Sequence, residues 1–212
     1  MLHTQAVEPT TLGLIKSLQS RNYLNGFYLA GGTALSFYLG HRISIDVDLF
    51  SAFSFDTAQL IENLQQDYPL QLYSTSVNTI KGNIENVNVD IIAHRYHLLN
   101  DPAEIEGIRI LSEPDIIAMK LNAISVSGQR SKDFIDIYFI LVDNKYSLAD
   151  MLKFYRIKYS QQGDMHVLKS LIYFDDVDLA DWPVMLRKKN LKWSDVSSRL
   201  EKEVMKLIRT KN

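Results

Sequence analysis

Two aspartates one residue apart, Asp46 and Asp48, follow a Gly31-Gly32-Thr33 step, with thirteen residues between Gly32 and Asp46. In Ile45-Asp46-Val47-Asp48-Leu49-Phe50 apolar and acidic residues alternate, which is the period of a β-strand. Both carboxylates then project from one face, and Val47 and Leu49 go to the other. Neighbouring carboxylates repel and raise each other's pKa. A hard divalent cation removes that penalty, and Mg²⁺ commonly takes one or two carboxylates plus substrate phosphates. The glycines offer a complement: backbone N–H groups at a Gly-Gly turn into a helix can approach an anion closely, with the helix dipole favouring negative charge. A phosphate cradle beside a metal-binding acid pair suits phosphoryl or nucleotidyl transfer. The local pattern equally describes an edge strand with two solvated aspartates after a tight turn.

Several elements must position these groups. The apolar run Phe27–Ala30 reads as a strand entering a helix over 33–39, and His41-Arg42 breaks that helix. Upstream, 10–23 reads as an amphipathic helix, and 56–66 as another with Asp56 as N-cap. Segments 70–74 and 76–81 are weak strand candidates. Segment 86–93 is a better one, with Val87, Val89, Ile91 and Ala93 on one face and Asn86, Asn88 and Asp90 on the other. Asp90 stands inside an apolar run, where strands disfavour it. Ser112-Glu113-Pro114-Asp115 is a strong helix start, with a Ser N-cap, Pro in the first turn and acids at the positive dipole end. The helix 113–125 aligns Ile116, Ile117, Leu121 and Ile124, and Lys120 falls inside that stripe. Either Lys120 snorkels to the helix edge, or it points into a cleft towards an anion. The helix 130–142 is apolar nearly all round, with Asp133 and Asp136 on its polar face and Lys132 and Asp136 spaced for an i, i+4 pair. Helices over 147–159, 165–174 and 194–208 complete the chain, interrupted by Asp181-Trp182-Pro183.

The chain has 212 residues, enough for one domain or two small lobes, with 46% hydrophobic and 23% charged residues. It has no cysteine, which excludes disulfides, Cys-ligated zinc and a Cys nucleophile. The five histidines show no zinc spacing, and His94 and His97 read as surface residues. No long apolar run is present, so neither membrane insertion nor secretion is expected and the cytoplasm is the default location. Residues 1–150 carry 10 Lys and Arg against 17 Asp and Glu, whereas residues 151–212 carry 13 against 8. A basic C-terminal part suits RNA phosphates, or is a solvated helix face. The cluster Arg187-Lys188-Lys189 beside Trp193 is open to the same two readings.

The spaced pair Gly31-Gly32 and Asp46-Val47-Asp48-Leu49 resembles the signature of the polymerase-β-type nucleotidyltransferases. More narrowly, Leu29-Ala30-Gly31-Gly32-Thr33-Ala34-Leu35 followed by His41-Arg42-x-Ser44-x-Asp46-x-Asp48-Leu49-Phe50-Ser51 resembles the AbiEii/AbiGii toxin family. Ala118-Met119-Lys120-Leu121, then Lys132-Asp133-Phe134-Ile135-Asp136-Ile137-Tyr138-Phe139, and Tyr173-Phe174-Asp175-Asp176 leading to Lys192-Trp193, extend the resemblance over nearly the whole chain. The expected fold is α/β (α+β). A small mixed sheet flanked by helices forms a catalytic lobe at 1–111, a helical lobe follows at 112–212, and the nucleotide lies between them.

The resemblance implies an enzyme that transfers NMP from an NTP with Mg²⁺ or Mn²⁺. Asp46 and Asp48, with Asp90 as a third carboxylate, would hold metal. Gly31, Gly32 and Thr33 would cradle the triphosphate, and Lys120 would neutralise it. Arg42 would touch phosphate or brace its loop, and Asp133 would face the cleft. Proteins of this family are toxins of toxin–antitoxin or phage-defence pairs, and some modify the tRNA 3′ end. An RNA acceptor and an antitoxin partner are therefore expected. The alternatives are transfer to a small molecule or protein hydroxyl, and a nucleotide-binding or interaction protein with little turnover.

Overall fold

The computed structural model describes residues 1–211. Seven strands form one mixed sheet in the order β3-β4-β5-β2-β1-β7-β6. They are β1 Tyr28–Leu29, β2 Val47–Ser51, β3 Gln71–Ser76, β4 Thr79–Ile84, β5 Val87–Ala93, β6 Ala103–Ile105 and β7 Ile108–Ile110. β2 runs parallel to β5, placing Asp48 opposite Asp90, and antiparallel to β1, placing Leu49 opposite Leu29. The hairpin β6–β7 joins the other side of β1 and was not signalled in the sequence, since three-residue strands are too short to show a period.

The helices are α1 Pro9–Gln19, α2 Gly31–Leu39, α3 Thr57–Asp67, α4 Glu113–Val126, α5 Ser131–Val142, α6 Leu148–Tyr159, α7 Met165–Ser170 and α8 Trp193–Lys211. Caps set their ends. Asp56 accepts from the Gln59 N–H, Ser112 from Asp115, and Ser147 with Asp150 completes a reciprocal capping box. Several expected bounds move: α7 stops at Ser170 rather than at 174, β4 spans Thr79–Ile84 rather than 76–81, and α8 runs over Trp193–Lys211 rather than 194–208. α2 begins at Gly31 rather than Thr33, so both glycines lie in its first turn; it is ended by Gly40 at φ 58° rather than by His41-Arg42. The first helix stops at Gln19, and a 3₁₀ turn carries the chain on.

One contiguous apolar core joins the buried sheet face to the helices. It includes Leu29, Val47, Leu49, Val89 and Ile91 from strands and Leu35, Phe37, Ile116, Leu121, Ile137 and Phe139 from helices. Phe134, Phe174 and Trp193 pack mutually edge-to-face with centroids 5.5–5.8 Å apart. The aromatic residues of the third sequence match thus tie α5 to the C-terminal segment, each pair adding about 0.5–1.5 kcal/mol beyond burial. No helix among the described residues is long and apolar enough to cross a membrane.

Candidate active site

β2 is short because its two ends do different work. Val47 and Leu49 are fully buried, while Asp48 and Phe50 turn to the opposite, half-buried face. Asp46 precedes the strand, held by the Asn88 amide donating to its Oδ1 at 3.1 Å. Asp48 and Asp90 share the register, and Lys81 pairs with Asp90 at 2.8 Å. Burial pushes the Asp48 carboxyl up to about 6; Lys120 opposes that shift, while Asp90 and Asp46 add to it. The set is hard-oxygen and incompletely neutralised, which fits a cation that takes one or two carboxylates and fills its shell with water and phosphate. Among the described residues no three His, Asp or Glu converge as a complete ligand set.

The two glycines are required by their neighbours. Gly31 has φ +63°, and a Cβ there would lie 1.9 Å from Asp48 Oδ2. A Cβ on Gly32 would lie 2.3 Å from an Arg42 guanidinium nitrogen and 3.7 Å from Lys120 Nζ. The start of α2 is therefore pressed against one acid and two cations. Its first-turn N–H groups have no intrahelical acceptor. The Thr33 hydroxyl donates to the Asp46 carbonyl at 2.5 Å and sits 2.8 Å from Ser44 Oγ, pinning the acidic segment to the helix start.

Behind the glycines lies a buried charge cluster. Asp136, at 0% exposure, accepts from Arg42 Nε at 2.8 Å and Arg42 Nη2 at 3.1 Å, and lies 2.8 Å from His41 Nε2. Lys120 Nζ bridges Asp133 at 2.6 Å and Asp136 at 2.8 Å. Burial disfavours the Asp136 anion, but Arg42, Lys120 and His41 hold it well below the usual carboxylate range. Lys120 is itself raised, because Asp133 and Asp136 outweigh the cost of burial. Burial keeps His41 low and neutral despite the Asp136 contact. Lys120 therefore does not snorkel, and the expected Lys132–Asp136 pair does not form: Lys132 reaches Asp181 instead. Asp133 and Asp136 are both buried rather than on a solvated face.

Two adjoining cavities share Gly32, Asp48 and Arg130. One, of about 220 Å³, is bounded by Gly31, Lys120 and Asp133 at one end and by Phe50, Ile116 and Tyr159 elsewhere. The other, of about 280 Å³, is bounded by Thr33, Arg42, Asp46, Lys132 and the 181–184 strap. Asp90 lines neither and reaches the group through Asp48 alone.

Sequence reasoning missed Arg130, Tyr159 and His94. His94 is half-buried, 3.1 Å from the Tyr159 hydroxyl, and is lowered to about 4 by burial and Lys158. The surface reading holds for His97 but not for His94. The loop carrying His94 is anchored by Asp115, which accepts from the Leu99 and Asn100 N–H groups and from Lys158 Nζ at 2.7 Å. Its only sequence signal was one lysine on a helix with large apolar neighbours.

Comparisons with known proteins give the family and the fold. A family model described as "Nucleotidyl transferase AbiEii toxin, Type IV TA system" matches residues 14–98 and 82–206. An uncharacterized protein of Aquifex aeolicus (strain VF5), aq_aa25, is 31% identical over 166 residues, covering 76% of this chain and 80% of the relative. The crystal structure of JHP933 from Helicobacter pylori superposes over 97% of this chain and 94% of its own at a TM-score of 0.55. At 18% identity that likeness shows a shared fold.

Proposed function

This chain belongs to the AbiEii family of nucleotidyl transferase toxins of type IV toxin–antitoxin systems, and from that membership we propose that it transfers NMP from an NTP to the 3′-hydroxyl end of an RNA such as tRNA: the hydroxyl oxygen bonds the α-phosphorus as it gives up its proton, the α–β anhydride bond breaks and pyrophosphate leaves. The observation that carries the reading is the contact of Gly31 with Asp48: a desolvated carboxylate touching the open start of a helix. Asp46 and Asp48, with Asp90 supporting, would hold Mg²⁺. When bound, the ion offsets charge on the reacting phosphate and acceptor oxygens.

The chain's own groups do the rest. The N–H groups of Gly31 and Gly32 face the triphosphate at the positive end of α2. Thr33 fixes the distance between that helix start and Asp46 through its hydroxyl. Lys120, half-neutralised by Asp133, and Arg42, aligned by Asp136, stand beside Gly32 where phosphate charge arrives. Asp133 holds Lys120 Nζ in place. Phe50 and Tyr159 present an apolar wall that excludes water from the same cavity. The protein acts in the cytoplasm, where NTP and tRNA occur together, and an antitoxin restrains it.

The test is incubation of the protein with Mg²⁺, each labelled NTP and total tRNA, beside an Asp46→Ala/Asp48→Ala variant. Label on tRNA from the parent protein alone is the expected result. Label on a small molecule or on protein, with none on RNA, overturns the acceptor. Equal label from the variant overturns the metal site.

A further inference from the structure

Away from the cleft lies an open groove of about 880 Å³ between the 188–191 segment, α5 and the start of α8, edged by Lys188, Lys189, Ser194, Ser198 and Arg199. Arg199, Lys202, Lys206 and Arg209 recur on α8 at three- and four-residue spacing and so share one face. That stripe continues the groove for ten residues, about 15 Å at about 1.5 Å per residue. Between residues 186 and 210 there are eight Lys and Arg against three Asp and Glu. Asp195 accepts from the Lys192 N–H at the helix start and Glu203 pairs with Arg199, which leaves Lys202, Lys206 and Arg209 against Glu201 alone. Among the described residues, Lys189, Lys202, Lys206 and Arg209 are exposed and no ion pair engages them.

One chain segment joins the groove to the cleft. The strap that lines the Asp46 cavity with Asp181–Val184 crosses the His41 carbonyl, which accepts from the Leu186 and Arg187 N–H groups, and then enters the groove at Lys188. A strand whose end lies in the cleft meets this strap next. The opposite face of α8 is spent on the core, with Val196, Leu200 and Val204 at 0–1% exposure, and exposed Met205 alone is too little apolar surface to insert into lipid. A row of exposed, unpaired cations leading from a site is the electrostatic footprint of a phosphate backbone.

We infer that the 188–199 groove and the α8 stripe are a second contact surface for RNA, gripping backbone phosphates remote from the end held in the cleft. This rests on the reading of RNA as the acceptor. Cations spaced along a helix face suit a grip on successive phosphates, which positions a strand.

The test uses the full chain and its Lys202→Glu/Lys206→Glu/Arg209→Glu variant, all at exposed positions. Binding to 5′-labelled bulk tRNA is followed by fluorescence anisotropy between about 50 and about 200 mM KCl. The variant is expected to bind at least tenfold more weakly, with the salt slope reduced by about 1 per cation removed. NMP transfer to tRNA should show a raised KM at unchanged kcat. A milder Lys202→Gln/Lys206→Gln variant should lose a smaller share of affinity at an unchanged melting temperature.

Variant binding equal to the parent's, or parent binding to phosphatidylserine vesicles without binding to tRNA, overturns the surface. Normal transfer with a KM indifferent to the variant overturns the surface while the acceptor reading stands. Charge-dependent tRNA binding without any NMP transfer overturns the acceptor reading while the surface stands.

Discussion

Asp136 sets the charge balance of the site from a position that no ligand need touch. It aligns Arg42, shares Lys120 and meets His41. Replacing it by Asn leaves two buried cations undercompensated, and a loss of about 3–5 kcal/mol in urea unfolding is expected. The sign of its pH effect follows from a native pKa held well below the ordinary carboxylate value of 3.8. Its stabilisation is complete above that value and is lost as pH falls through the native pKa, so the variant should show a flattened acid limb. Asp48 behaves oppositely. Its native pKa of about 6 lies above 3.8, so metal-free stability falls as pH rises through that window. In chelator, Asp48→Asn should melt higher than the parent at pH 8 and lose that advantage at pH 5. Added Mg²⁺ should raise the parent's melting temperature only, and the variant should lose transfer activity by at least about 100-fold. The face of Asp48 was legible because alternation reports directly on which side of a strand a residue takes, whereas Asp46, expected in the same strand, precedes it. Asp136 was not legible: helical spacing pairs it with Lys132 on its own helix, whereas its partners come from a loop some ninety residues earlier.

α2 and β2 meet so closely that one methyl group distinguishes a working site from a displaced one. Gly31→Ala forces a Cβ into Asp48 Oδ2 at a positive φ, and about 2 kcal/mol or more of destabilisation is expected together with loss of transfer activity. Calorimetry beside the labelling assay reads both. The clamp between α4 and α6 offers a second test. Lys158→Met removes the cation paired with buried Asp115, which also accepts from the hydroxyl of the α4 N-cap Ser112, and should cost about 3–5 kcal/mol, whereas replacing both members together costs much less. Helix limits were readable because caps are local: Ser112, Asp56 and Ser147 each bind an N–H three residues on. The sheet was less readable. β3 is exposed on both faces and carries no alternation, and the β6–β7 hairpin is stabilised by pairing with β1 rather than by any pattern of its own.

The active-site cations and acids are drawn from both halves of the chain and cemented by one core. His41, Arg42 and Asp48 come from before residue 111, and Lys120, Asp133 and Asp136 from after it. A single calorimetric unfolding transition is therefore expected, and a fragment ending at residue 111 should lack cooperative melting, because it would expose the faces that α4 and α5 cover. Two resolved transitions would overturn that expectation. The mixed α/β architecture could be read from the order of strand-like and helix-like segments. How closely the helical half is built into the strand-bearing half could not, because composition records what each segment is and not which cation answers which anion across the fold.

The shared cluster also bears on how lineages of this chain can change. Arg42, Lys120, Asp133 and Asp136 are all buried and balance as two cations against two anions. A descendant that loses one of them inherits an uncompensated charge, and its quickest route back to a folded protein is to lose the others as well. Drift should therefore leave either the intact quartet or an apolar replacement of all four, with few intermediates, and the second kind would keep the fold after abandoning the chemistry.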